Sequence, residues 1–209
     1  MARLPITLPD YERLFRTVHG VLLSENSVPE RACQWFAFLG ASVLKNHHKL
    51  DARMVAGCAG FNLSGFPRPL VNADPAIEGL GASWEGFHAW IEVGEWIIDL
   101  QAPLFRDVVG KLTRSYTVPR YMFQKPKAQV SSIEQLERPG SFWFRREPEF
   151  EATLEADLRA KAYAQDFESL CVQWYCRLPR EMRAEIATRD SRGTIRPIRL
   201  SPLRIDGVF

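Results

Sequence analysis

The stretch FHAWIEVGEWIIDL, residues 87–100, decides how this chain of 209 residues is read. Two apolar runs flank Gly94-Glu95, and a two-residue connection there folds them into an antiparallel hairpin. Val93 then faces Trp96, Ile91 faces Ile98 and Ala89 faces Leu100. Because strand side chains alternate, Phe87, Ala89, Ile91, Val93, Trp96, Ile98 and Leu100 share one wholly apolar face, which is predicted to lie on the core. The other face carries His88, Trp90, Glu92, Ile97, Asp99 and Gln101. In this register Asp99 lies opposite Trp90 and diagonal to His88, with backbones about 7 to 8 Å apart, a gap that long polar side chains bridge. A carboxylate so placed can hold an imidazole in one tautomer and stabilise its protonated form. A three-residue loop would scatter the apolar residues over both faces. On the hairpin alone, the simpler reading is a half-exposed second face with His88 and Asp99 as surface polar residues.

Upstream, Tyr11, Leu14, Phe15 and Val18 recur at helical spacing behind Pro9-Asp10 and predict an amphipathic helix over 9–21. Ser27-Val28-Pro29-Glu30 has the form of a capping box ahead of a second helix, which carries Cys33, Trp35, Phe36, Phe38, Leu39, Val43 and Leu44 and ends at KNHHK. Apolar around most of its circumference, that helix is expected to be buried. Residues 52–63, ARMVAGCAGFNL, read as a strand, and the Pro- and Gly-rich residues 64–86 as a long loop of the kind that serves as a lid or substrate loop. Downstream, 116–123 and 141–146 fit further strands, 148–177 one long helix rich in Ala, Glu and Leu, and 179–188 a short helix. The end, SRGTIRPIRLSPLRIDGVF, reads as extended and basic.

A hydrophobic content of 46% with 25% charged residues suits one compact domain over 1–209, with a helix-plus-sheet core over 1–146 and a helical part with an extended basic tail over 147–209. The 27 Lys and Arg nearly balance the 25 Asp and Glu, so the overall field names neither nucleic acid nor an anionic membrane as a partner. Pro5, Pro9, Asp10, Glu12 and Arg13 interrupt the first residues, and no window approaches the roughly 18 apolar residues of a membrane span, so a cytoplasmic location is expected. Cys33, Cys58, Cys171 and Cys176 are scattered through a chain long enough to fold without staples, which predicts reduced thiols.

One of those thiols gives the hairpin a chemical partner. The sequence RACQWFAFLGASVLKNHHKLDARMVAGCAGF followed by FHAWIEVGEWIIDL resembles the transglutaminase-like and papain-like cysteine enzymes over residues 28–103. In those families a cysteine opens a buried helix, and a strand of the form Gly-x-x-Ala-Arg-x-Val-x-Gly follows. A His-Ala-Trp-x-Glu-Val strand then carries the histidine, and a strand with a tryptophan shortly before it the aspartate. The matching positions are Cys33, the run from Ala52 to Gly57, His88 within His88-Ala89-Trp90-Ile91-Glu92-Val93, and Asp99 three residues after Trp96. Arg31 stands where the family has glycine two residues before the cysteine, and Leu100 follows the aspartate in place of a small residue or proline. The resemblance implies an α+β fold: a nucleophile helix on a mostly antiparallel sheet, with helices at the front and, from the composition of 148–177, a long C-terminal helix. It also suggests an uncharacterised bacterial family within that group.

What the resemblance implies chemically is acyl transfer. A free thiol, with a pKa of about 8.5, is mostly protonated at neutral pH, and an adjacent imidazolium favours its thiolate. Cys33 would attack a carbonyl carbon, His88 would take and return the proton, and Asp99 would orient His88. If the helix starts at Ser27–Glu30, Cys33 falls in its second turn and His88 does most of the activation; if it starts nearer Cys33, the helix dipole contributes. The Cys33 N–H is a natural donor to the oxyanion. Papain-like enzymes place a glutamine some residues before the cysteine; this chain has Asn26 and Ser27 there, and the second donor is unassigned. Hydrolysis of a peptide or amide bond is the leading expectation. Transfer to another acceptor, as in transglutaminases or arylamine acetyltransferases, uses the same trio, and a non-catalytic binding module on the same fold is the third reading. No cofactor or metal is implied: His47 and His48 suit a helix end, His19 and Cys58 packing, and Cys171 and Cys176 fall on different faces of a helix with no histidine nearby. The arginines Arg183, Arg189, Arg192, Arg196, Arg199 and Arg204 read as a solvated face or an oligomer contact, and the oligomeric state is open.

Overall fold

The computed structural model describes residues 4–189 and 193–209, so Arg192 of the C-terminal arginines lies outside the described residues. The strands are β1 (Ala52–Phe61), β2 (Leu70–Asn72), β3 (His88–Val93), β4 (Trp96–Asp99), β5 (Tyr121–Pro126), β6 (Phe142–Arg146), β7 (Glu185–Arg189), β8 (Ile195–Arg199) and β9 (Gly207–Val208). The helices are α1 (Leu8–Ser24), α2 (Cys33–Val43), α3 (Phe105–Leu112), α4 (Pro148–Ala160) and α5 (Ala164–Trp174). The fold is α+β. Its seven-stranded sheet runs β2-β1-β3-β4-β5-β9, with β6 on β1, and is antiparallel except where β9 joins β5.

β1 organises the sheet. Along one edge it pairs first with β3, over Ala52–Gly57, and then with β2, over Ala59–Phe61; β6 takes the opposite edge over Gly57–Phe61. Its small residues permit this crowding. A Cβ on Gly57 would meet the Arg145 carbonyl oxygen and stand 2.9 Å from Glu147 N. The hairpin of β3 and β4 has the register the alternation predicts, with Ile91 opposite Ile98 and Val93 opposite Trp96. Gly94 at the turn takes a φ of +53°, a conformation glycine adopts without a Cβ penalty.

Both faces of the sheet are covered. On one, Ala89, Ile91, Val93, Ile98 and Leu100 join Met54 and Ala56 of β1 against α1, α2, α4 and α5. On the other, Trp90 and Ile97 join Val55, Phe61, Phe123 and, from α3, Phe105 and Val109 in a second apolar cluster. The expectation of a half-exposed second hairpin face is thereby corrected: α3 and the chain leading into it cover that face, and His88 and Asp99 are each 1% exposed.

The long helix expected over 148–177 is two helices. Lys161, at φ −72° and ψ 122°, breaks the run after Ala160. A straight helix of that length would be roughly 45 Å long. The break instead lets Leu154 and Leu158 of α4 and Phe167, Cys171 and Trp174 of α5 reach the same core. The short helix expected over 179–188 is also absent. Residues 185–189 form β7, in which Ile186 pairs with Ile198 of β8, so cross-strand pairing overrides local helix propensity. Of the strand expected over 116–123, β5 keeps only the end and runs on to Pro126. The residues after β8 return to α1: Ser201 N donates to Arg16 O at 3.3 Å, Arg16 Nε to Ser201 O at 2.6 Å, and Ile205 N to Glu12 Oε2 at 2.9 Å. No helix among the described residues is long and apolar enough to cross a membrane.

Candidate active site

α2 takes the later of the two starts that the sequence left open, at Cys33 and not at the Ser27–Glu30 box. Pro29–Arg31 form a separate 3-10 turn, Ala32 N closes it on Pro29 O at 3.1 Å, and α2 begins at Cys33. Ser27 and Glu30 therefore do not cap α2; its cap position is Ala32, with no side-chain cap bond. The first residues of a helix have N–H groups with no intrahelical acceptor and sit at the positive end of its dipole, so Cys33 stands where a thiolate gains from both. The Cys33 side chain is 6% exposed.

The β3–β4 register delivers the partner pair. His88 Nε2 donates to Asp99 Oδ2 at 2.8 Å, and the other carboxylate oxygen, Oδ1, accepts from Gln101 N at 2.9 Å. The His88 ring is boxed by Phe61, Trp90, Phe105 and Phe144, with centroids 5.7 to 6.5 Å away. Burial alone disfavours the imidazolium. The charge and hydrogen bond of Asp99, with a hydrogen-bonding contact to the Cys33 thiol, outweigh it and push the His88 pKa up to about 10. Asp99 occupies Nε2 and leaves Nδ1 as the free ring nitrogen, while the Cys33 thiol donates to Gln34 Oε1 at 3.7 Å. The three predicted residues are thus brought to one place: His88 and Asp99 are hydrogen-bonded, and Cys33 shares the cleft wall with His88. Tyr11 of α1 fastens the assembly from behind, its hydroxyl donating to the Asp99 carbonyl oxygen.

Cys33 and His88 line a cleft of about 910 Å³. Gln101 is on its wall and donates from Nε2 to Pro29 O at 3.1 Å, so it ties the end of the hairpin to the turn ahead of Cys33. Further out the wall is apolar on one side, where Trp84 and Phe87 pack edge-on to each other and against Phe150. On another side Lys111 of α3 donates to Glu30 at 2.8 Å. Asn72 of β2, on the same wall, has a side-chain nitrogen that is buried and without a partner among the described residues. The residues 64–86 read as one long loop contain β2 and the bridges Asp74–Gly81 and Ser83–Gly86, and they supply Asn72 and Trp84 to the cleft, with Phe87 next to them. Sequence reasoning gave Asn72 and Trp84 no role and placed Phe87 only on the core face of the hairpin. It did put Gln101 on the face of His88 and Asp99, without a role.

The other thiols sit elsewhere. Cys58 donates to Leu80 O at 3.0 Å, and burial pushes its pKa up. Cys171 is fully buried in the helical core, and burial raises its pKa strongly. Cys176 is partly exposed near the carbonyls of Arg180 and Glu181. All four cysteines are unpaired with one another. His47 donates to Val172 O at 2.8 Å, His48 pairs with the Tyr175 hydroxyl at 2.7 Å, and His19 lies among Phe15 and Phe36 with its pKa lowered to about 4, chiefly by burial. Among the described residues no group of His, Cys, Asp and Glu could hold a metal ion.

Comparison with known proteins gives a structural relative and a family. A solved structure described as "The crystal structure of genomics APC5867" is similar at a TM-score of 0.88 and 32% sequence identity, covering 100% of this chain and 99% of that chain. No curated protein matches. A family model described as "Protein of unknown function (DUF2026)" matches residues 7–209, and the chain belongs to that family.

Proposed function

We propose that Cys33, His88 and Asp99 are the triad of a cysteine-dependent acyl-transfer enzyme of papain-like or transglutaminase-like kind, hydrolysing a peptide or amide bond. The observation that carries this reading is the buried His88–Asp99 pair at 2.8 Å, with Cys33 and His88 on the wall of one open cleft. A charged imidazole is costly to bury, and a ring held protonated beside a thiol at a helix N-terminus has the arrangement that nucleophilic cysteine chemistry needs. Cys33 attacks the substrate carbonyl, His88 returns the proton to the leaving nitrogen, and Asp99 keeps the ring in register. The aromatic box of Phe61, Trp90, Phe105 and Phe144 fixes the ring plane and keeps water from the buried pair.

Thiol labelling tests the proposal. Cys33 is expected to react with iodoacetamide faster than Cys58, Cys171 and Cys176, and His88→Ala to slow it by about 100-fold, the lower end of the range for losing a positioned base. Equal reactivity of all four thiols, or indifference to His88→Ala, refutes it. A screen of amide, ester and acyl-donor substrates with a Cys33→Ala control then separates hydrolysis from transfer.

A further inference from the structure

Attack on a carbonyl leaves negative charge on its oxygen, and that charge needs at least two donors held in place before it forms. The first is at hand in the Cys33 N–H, which opens α2. We propose that the second is the side-chain amide of Gln101, a role that rests on the reading of Cys33 as the nucleophile.

Three observations place it there. Gln101 Nε2 lies 3.1 Å from Pro29 O, the same carbonyl oxygen that accepts from Ala32 N at 3.1 Å, so the amide stands within about 6 Å of the N–H group preceding that of Cys33. Nε2 carries two hydrogens, and Pro29 takes only one; among the described residues no second acceptor is present. The residue is also pinned at both ends, by its side chain on Pro29 and by its backbone N–H on Asp99 Oδ1 at 2.9 Å, while it is 5% exposed on the wall that Cys33 and His88 share. A donor fixed in this way needs no reorganisation when charge develops.

In the acylation step the Cys33 sulfur forms a C–S bond as the carbonyl π pair moves onto oxygen. That oxyanion accepts from Cys33 N–H and Gln101 Nε2–H. Collapse re-forms C=O and breaks the bond to the leaving nitrogen, which takes the proton that His88 received from the thiol. Water then cleaves the thioester, with His88 as base.

Two probes separate this role from a structural one. p-Nitrophenyl acetate acylates Cys33 through a tetrahedral oxyanion; iodoacetamide alkylates the same sulfur at a saturated carbon, where no oxyanion forms. Gln101→Ala and Gln101→Met both keep the backbone N–H on Asp99. In each, release of p-nitrophenolate is expected to slow by about 100-fold, the size of one oxyanion donor, while alkylation stays within about twofold of the unsubstituted chain. If both reactions slow together, Gln101 only holds the Pro29 turn and the proposal falls. If neither slows, it falls as well. If the unsubstituted Cys33 reacts selectively with neither probe, the nucleophile reading itself is overturned, a result distinct from the other two.

Discussion

Between pH 6.5 and 10 the folded state is expected to lose about 4 kcal/mol of stability through His88, whose pKa is held up to about 10. The sign follows from which state binds the proton more tightly. In the unfolded chain the imidazole has its ordinary pKa near 6.5; in the folded chain Asp99 and the Cys33 thiol raise it against the cost of burial. The stabilisation is therefore fully present below about pH 6.5 and lost as pH rises through the folded value. A shift of this size corresponds to about 5 kcal/mol in all, falling at close to 1.4 kcal/mol per pH unit across the window. Because the pair is 1% exposed, solvent screening takes little from it. Urea unfolding at several pH values between 6 and 10 measures the loss. The doubly substituted His88→Gln, Asp99→Asn chain, with uncharged groups of similar size, removes the contribution of every other titrating group by subtraction. The difference between the two chains should shrink with rising pH. A difference that stays flat across the window would refute the reasoning, because it would mean that His88 is neutral in the folded protein.

Tyr11→Phe should cost about 2 kcal/mol, since it leaves the buried Asp99 carbonyl without its donor and Phe123 N without its acceptor; an unchanged urea midpoint would count against that tether. Gly40→Ala should cost between about 1 and 3 kcal/mol, because its Cβ would press on Leu100 Cδ1 and stand 2.8 Å from Ile91 Cδ1, lifting α2 from the sheet; a melting temperature equal to that of the unsubstituted chain would show that those side chains give way freely.

The hairpin was legible because its alternation is strict: one register alone puts every apolar residue of one set on one face, and the same parity brings His88 and Asp99 together. The start of α2 was not, because Ser27-Val28-Pro29-Glu30 satisfies a capping pattern that the chain spends on a separate turn, with Pro29 already fixing the geometry there. Composition also misled over 148–177, where Ala, Glu and Leu favour helix but the core lies to one side and requires a bend at Lys161. α3 went unread although Phe105, Val109 and Leu112 stand at helical spacing, for its eight residues are few and Gly110 interrupts them. The cleft wall was the least accessible part. Asn72 and Trp84 lie in a stretch with no period, and their positions follow from where β1 offers a free edge beyond β3, a fact of the sheet and not of the local sequence.

The return of residues 201–205 onto α1 bears on the order in which a ribosome could release this structure. Tyr11 can find Asp99 once about half the chain has been made, but Glu12 and Arg16 of the same helix wait for Ile205 and Ser201. At a synthesis rate of roughly 5–20 residues per second that interval is on the order of 5 to 20 s. For that time one flank of the first helix is bare while the hairpin beneath it can already pair. Contacts closed over so long a sequence separation also slow folding from the denatured chain. The nascent protein is thus at its most exposed to aggregation and to proteases after the thiol, imidazole and carboxylate have all been synthesised, and before the last turn of chain has locked the helix above them.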